Sequence, residues 1–313
     1  MTVPDWCAKA VNKVQGRREA VCLVSPILYT TYRTIDGVRK TVGEARFDIV
    51  SYNHSSASSP RWTYQAQVNV KSGWGEAMSA GISGRTTVSG LCRIVSATFP
   101  LQPLSPAGST KNGEATYATT ATWKGAIGRC ATIWAFTLTN PGYPDAVGDL
   151  TLDEFRCDTA TPGRTSTGCV VPWYASALIY RKSSTPQLAS HITRAQGSGL
   201  PGATFARPLH RSLDPDVWAR NRKLACADAP SISGKSCDEY PIASAREGLG
   251  SGGQRRSFPG CSLPRIPSRT GGTGASVCMI SRTEQSVQGG TNTQFFRRWR
   301  YLEGDPFRVL IRP

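Results

Sequence analysis

The segment Cys237-Asp-Glu-Tyr-Pro-Ile-Ala-Ser-Ala-Arg-Glu-Gly248 places three carboxylates, Asp238, Glu239 and Glu247, within ten residues of a chain that has 21 acidic against 37 basic residues. Acids clustered in a basic protein fit a divalent cation, because Mg²⁺ and Mn²⁺ take oxygen ligands, usually one or two carboxylates completed by water and phosphate oxygens. A solvated acidic turn is the other reading of the same residues. Hydrolysis of a phosphodiester needs an activated water, a cation to absorb charge on the phosphoryl oxygens and a proton for the leaving oxygen. Asp238 could orient and deprotonate water, with Glu239 as a supporting partner, and Glu247 and Glu284 could hold the metal. Arg220 or Arg222 could clamp phosphate through a guanidinium fork. His191 is a competing base, since imidazole titrates near neutrality.

A net charge of +16 implies an anionic partner: nucleic acid, anionic glycan and acidic cell wall all fit. Residues 185–313 hold 18 Lys and Arg against 9 Asp and Glu, so the basic excess per residue is greatest where the acids cluster. Arg246 and the Arg297, Arg298 and Arg300 cluster extend the candidate nucleic-acid surface. The ten cysteines, at 7, 22, 92, 130, 157, 169, 226, 237, 261 and 278, include no CxxC pair, which excludes zinc-finger spacing. An even number at irregular spacing points to disulfides and an extracellular compartment. Pairing of sequence neighbours is expected: Cys7 with Cys22, Cys92 with Cys130, Cys157 with Cys169, Cys226 with Cys237, and Cys261 with Cys278. The N-terminus lacks the apolar core of a secretory signal, so a signal already removed is expected. No window approaches the roughly 18 apolar residues of a membrane span, and a soluble monomer is expected.

Two domains must position these groups. Up to about Tyr180 the pattern is of strands. Trp62, Tyr64, Ala66, Val68 and Val70 alternate with polar residues at a period of two, and similar runs occur at 21–32, 45–52, 86–97, 115–123 and 131–138. Turn residues between them suggest an antiparallel sandwich over residues 1–183, a β-rich accessory domain with a cell-wall or glycan ligand as its candidate partner. Residues 184–313 read as α+β. Thr185-Pro186 starts a helix whose buried stripe, Leu188, Ile192 and Ala195, borders His191, and Asp214-Pro215 starts another. Residues 275–280 form a short strand, 289–300 a helix, and Phe307, Val309 and Ile311 mark a terminal strand.

The ordered set Cys237-Asp-Glu-Tyr-Pro-Ile-Ala-Ser244, Glu247-Gly248, Gly274-Ala-Ser-Val277, Glu284-Gln-Ser-Val-Gln-Gly-Gly290 and Gly304-Asp-Pro-Phe-Arg-Val309 resembles the deoxyribonuclease NucA/NucB family. His191-Ile192, Pro208-Leu-His-Arg211 and Asn221-Arg222 are similar to parts of its longer secreted members. The resemblance covers residues 185–313. It implies a secreted, Mg²⁺- or Mn²⁺-dependent endonuclease of DNA with little sequence preference, with Asp238 at the family's essential aspartate and Glu247 at its Glu-Gly step. Gln285 stands where the family usually has Asn, at a position implied in holding metal or an anchoring side chain. Two other readings suit the same residues: a non-enzymatic adhesin that grips glycan or wall polymer, and the same nuclease deployed as an antibacterial toxin.

Overall fold

The computed structural model describes residues 3–313, Asp153 by its backbone only. The chain divides into two units. One runs to Ala160 and includes Arg164–Val171; the other comprises Thr161–Gly163 and Pro172–Pro313.

The first unit is a sandwich of two antiparallel sheets. The six-stranded sheet runs Gln15–Arg17, Ala20–Ile35, Val38–His54, Arg61–Gly75, Thr110–Thr119, Cys92–Thr98 in spatial order. The five-stranded sheet runs Gly168–Val170, Ala146–Asp158, Ile127–Thr139, Gly81–Gly90, Gln102–Pro103. The period-two alternation has its expected physical outcome: Trp62, Tyr64, Ala66, Val68 and Val70 are buried on one face. Aromatic rings join the sheets, Trp62 against Phe155 at 6.0 Å and Tyr64 edge-on to Trp134 at 6.1 Å between centroids. The run at 86–97 is two strands in different sheets. The chain turns at Gly90, whose φ of +90° and contact with the Arg129 carbonyl leave no room for a Cβ. Ala146–Asp158 escapes the sequence pattern because a bulge between Leu152 and Phe155 resets its alternation.

In the second unit, Ser176–Arg181 lies parallel to Pro306–Arg312, which also pairs with Leu209–His210. By this parallel pairing Ser176–Arg181 falls in the second unit, and the division lies between Val171 and Pro172 where a boundary at 183 was expected. A second sheet has Lys235–Tyr240 at one edge, Ala275–Ser281 in the middle and Arg255–Arg256 at the other edge. Three helices pack on these sheets: α1 (Pro186–Gly197), α2 (Pro215–Cys226) and α3 (Arg282–Arg298). Helix α3 starts before the expected residue 289; its first turns present a polar face that carries little hydrophobic signal. Leu188, Ile192, Tyr240, Ile280, Phe295, Phe296 and Phe307 belong to the core of this unit. No described helix is long and apolar enough to cross a membrane.

All five disulfides join the expected sequence neighbours, three in the first unit and two in the second. Cys226 ends α2 and Cys237 precedes Asp238, so this bridge ties the helix to the acidic strand. Replacing Cys226 and Cys237 together by Ala is expected to cost about 2–4 kcal/mol by restoring freedom to the unfolded chain. Urea unfolding of the variant and parent measures that loss.

Candidate active site

Three helices and two strands build the site. Asp214 caps α2 by accepting from the Asp216 amide at 2.8 Å. Asn221, buried on α2, donates to the carbonyls of Ala243 and Ala245 and accepts from Gly250, which locks the loop after the acidic strand onto the helix. Helix α1 is not capped by the Thr185 side chain, whose hydroxyl donates instead to the Arg181 carbonyl. Its first turn is satisfied by Glu284 of α3, a buried carboxylate accepting from the Leu188 amide at 2.8 Å. Negative charge there also complements the helix dipole.

His191, wholly buried on α1, bridges two strands of the second sheet. Its Nδ1 lies 2.7 Å from Asp238 Oδ2 and its Nε2 lies 2.8 Å from Ser276 Oγ. A carboxylate only accepts, so Nδ1 donates to Asp238; Nε2 then accepts from the Ser276 hydroxyl in the neutral imidazole. With both nitrogens engaged and no exposed surface, His191 does not reach water as a free base. It fixes the orientation of Asp238.

Asp238 and Glu239 are consecutive, so their side chains leave opposite faces of the strand. Both nevertheless border one cleft, because Lys235–Tyr240 is the edge strand and its free side opens into that space. The cleft is about 350 Å³ and is also lined by Arg211, Arg222 and Arg297, the amides of Gln285, Gln288 and Asn292, and Trp218 and Phe296. Burial pushes the Glu239 carboxyl up to about 7, the neighbouring charge of Asp238 adds to the rise, and Arg222 partly opposes it. Arg222 Nε stands 3.9 Å from Glu239 Oε1, a long contact from an exposed side chain.

The expected metal set is not assembled. Glu247 accepts from the His210 backbone amide at 2.9 Å and pairs with its Nδ1 at 2.6 Å, outside the cleft. Glu284 is committed to α1 and likewise does not line the cleft. Among the described residues no three His, Cys, Asp or Glu side chains converge as a metal site. Gln285 does line the cleft; its Nε2 donates to Gln288 Oε1, and its Oε1 is buried without a partner.

The expected cations also sort themselves. Arg222 and Arg297 reach the cleft; Arg220 is exposed on α2 but does not. Arg246 pairs with Glu303 at 2.8 Å, and Arg298 stacks on Trp299. Arg300 is wholly buried just past α3, with a φ of +51° that turns it inward, and is not part of a nucleic-acid face. Sequence reasoning assigned no role to Arg211, Ser276, Gln288 or Asn292. Arg211, Ser276 and Gln288 fall within the family-like motifs and Asn292 within none; the contacts that gather them come from distant elements.

The raised carboxyl of Glu239 has a measurable consequence. A folded-state value near 7 against 4.5 unfolded means that the fold binds this proton more tightly. That contribution is fully present below about pH 4.5 and is lost as pH rises through about 7. Glu239→Gln removes the charge, so its stability relative to the parent is expected to rise between pH 5 and pH 8 by on the order of 3 kcal/mol at most. Urea unfolding in EDTA at the two pH values checks this; a difference independent of pH would contradict it.

The profile of the deoxyribonuclease NucA/NucB family matches residues 217–310, from α2 through the terminal strand. A search of curated proteins gave no significant match. Among solved structures, the yeast GGA1 GAE domain aligns with 40% of this chain and 98% of its own, at 9% identity and a TM-score of 0.18, too low to bear on the fold. Asp238, Glu239, Gln285 and Asn292 lie inside the matched segment, and His191 and Arg211 precede it. The second unit carries a domain of the deoxyribonuclease NucA/NucB family.

Proposed function

We propose that this protein is a secreted, metal-dependent endodeoxyribonuclease that hydrolyses DNA phosphodiesters with little regard to sequence. The observation that carries the proposal is the cleft in the NucA/NucB-matched segment, where a buried carboxyl poised near neutrality sits beside an oriented one and under guanidinium groups. Five disulfides support an oxidising compartment. The net charge of +16 supports a polyanionic substrate.

The donors in the cleft fit a hard cation. Asp238 supplies a carboxylate held by His191, and Gln285 supplies a buried carbonyl oxygen without a protein partner. Mg²⁺ and Mn²⁺ commonly take one or two such ligands and leave the rest to water and phosphate. A bound cation would neutralise charge on the phosphoryl oxygens. The protein's own part is proton handling and positioning. Glu239, near pH 7 half ionised, can take a proton from the attacking water or return one to the leaving oxygen at neutral pH. His191, anchored by Ser276, keeps the Asp238 carboxylate in one orientation. Arg222 and Arg297 meet the strand as phosphate contacts, which carry no sequence information.

Supercoiled plasmid is expected to be nicked and linearised with Mg²⁺ or Mn²⁺, and the activity to vanish in EDTA. Glu239→Gln is expected to lower kcat by about 10²- to 10⁴-fold, the usual contribution of a general acid or base. Undiminished cleavage in EDTA, or by folded Glu239→Gln, would overturn the assignment. DNA affinity should fall linearly in log-log form as salt rises, and Arg222→Ala with Arg297→Ala should reduce the slope by about two phosphate contacts, roughly 0.9 each. Filter binding to duplexes of unrelated sequence at several salt concentrations measures the slope.

A further inference from the structure

We propose that Arg211 forms a built seat for one phosphate group of the polyanion, an anion site distinct from the exposed arginines Arg222 and Arg297 that also line the cleft. The proposal deepens the nuclease reading and rests on it for the identity of the substrate. Arg211 is 9% exposed yet lines the cleft shared by Asp238, Glu239, Gln288 and Asn292. Its guanidinium carbon lies 4.1 Å from the Phe296 ring centre and 4.9 Å from that of Trp218. Both rings are themselves fixed: Trp218 Nε1 donates to the Ser212 carbonyl, and Phe296 packs on Tyr301 and Phe307. The backbone is pinned on both sides, Arg211 N to Asp305 O and Gly304 N to Arg211 O.

What this cation lacks is a counter-charge. Its Nε is buried and unbonded, and NH1 reaches only the Ser244 carbonyl at 3.5 Å, the far limit of a hydrogen bond. Among the described residues no carboxylate forms an ion pair with it. Glu303, whose charge acts on it from a distance, is bonded to Arg246 and to the Leu213 amide. Arg256 gives the contrast: it is as deeply buried and also leaves Nε unbonded, but its terminal nitrogens hold the carbonyls of Ser198, Gly271 and Thr273 and the Ser198 hydroxyl. That arginine is structural. A buried guanidinium without such partners is costly unless a ligand supplies the counter-charge, and a phosphate presents oxygens that match its planar fork.

The test uses the full chain in EDTA, with inorganic phosphate as probe and chloride at equal ionic strength as reference, read by thermal unfolding. Phosphate is expected to raise the Tm of the parent saturably. Arg211→Met should weaken the response about tenfold or more, the scale of a lost charged hydrogen bond, while Arg265→Met, on an exposed loop, should respond like the parent. Arg211→Lys serves if the Met variant does not fold, and its response should also be weakened. With metal and plasmid, Arg211→Ala is expected to lose about 10²- to 10³-fold in kcat/KM and to recover part of it with added guanidinium ion, a rescue that a merely structural role would not give. A parent that phosphate does not stabilise, or folded Arg211→Met and Arg211→Lys with the parent's response, would overturn the seat. Loss of the phosphate response in Arg211→Met, in a protein whose parent cuts no DNA, would uphold the seat and overturn the nuclease reading.

Discussion

The hydrogen bond between His191 and Asp238 is the interaction on which the site depends. It joins the first helix of the second unit to the edge strand that carries both acids, and it is extended through Nε2 to Ser276 on the neighbouring strand. Buried polar groups persist only when they are paired. Asp238 is 1% exposed, so this pairing is what allows a carboxylate to stand at the base of a cleft in one orientation. The surrounding elements are held to the same purpose: Glu284 satisfies the first turn of α1, the Cys226–Cys237 bridge ties α2 to the strand, and Asn221 fixes the loop that follows.

The electrostatics follow from the strand's place at the edge. Consecutive acids on an interior strand would face separate compartments. Here they share one cleft, and burial, with the added charge of Asp238, lifts Glu239 toward neutrality. Two neighbouring carboxyl groups thereby acquire different character by environment alone, one held by a histidine and one raised toward neutrality. Under the proposed function, the excess of arginine across the unit would draw the polyanion in and the acids would act where charge develops.

Much of this was legible in the chain. Period-two alternation revealed most of the sandwich, the Thr185-Pro186 and Asp214-Pro215 steps located two helices, and even, CxxC-free cysteines implied bridges between neighbours, as the structure has them. The acidic stretch and its family-like motifs pointed to the strand that borders the cleft. What remained hidden was tertiary. Nothing local distinguishes Glu247, spent on His210, or Glu284, spent on a helix end, from a metal ligand. His191 read as the border of a stripe because its partners, Asp238 and Ser276, lie far along the chain. Arg300 looked like its neighbours Arg297 and Arg298 until a single left-handed residue turned it inward. The division between units moved because parallel strand pairing leaves no trace at the strand itself.

The central claim is that His191 acts through Asp238 rather than on substrate. A double-mutant cycle in plasmid cleavage, with His191→Asn, Asp238→Asn and the double variant compared by kcat under saturating Mg²⁺, tests it directly. Groups that act as one unit lose their effect together. The account predicts that the double variant is no slower than Asp238→Asn alone; losses that multiply across the two sites, with all proteins folded, would show His191 acting independently and contradict it.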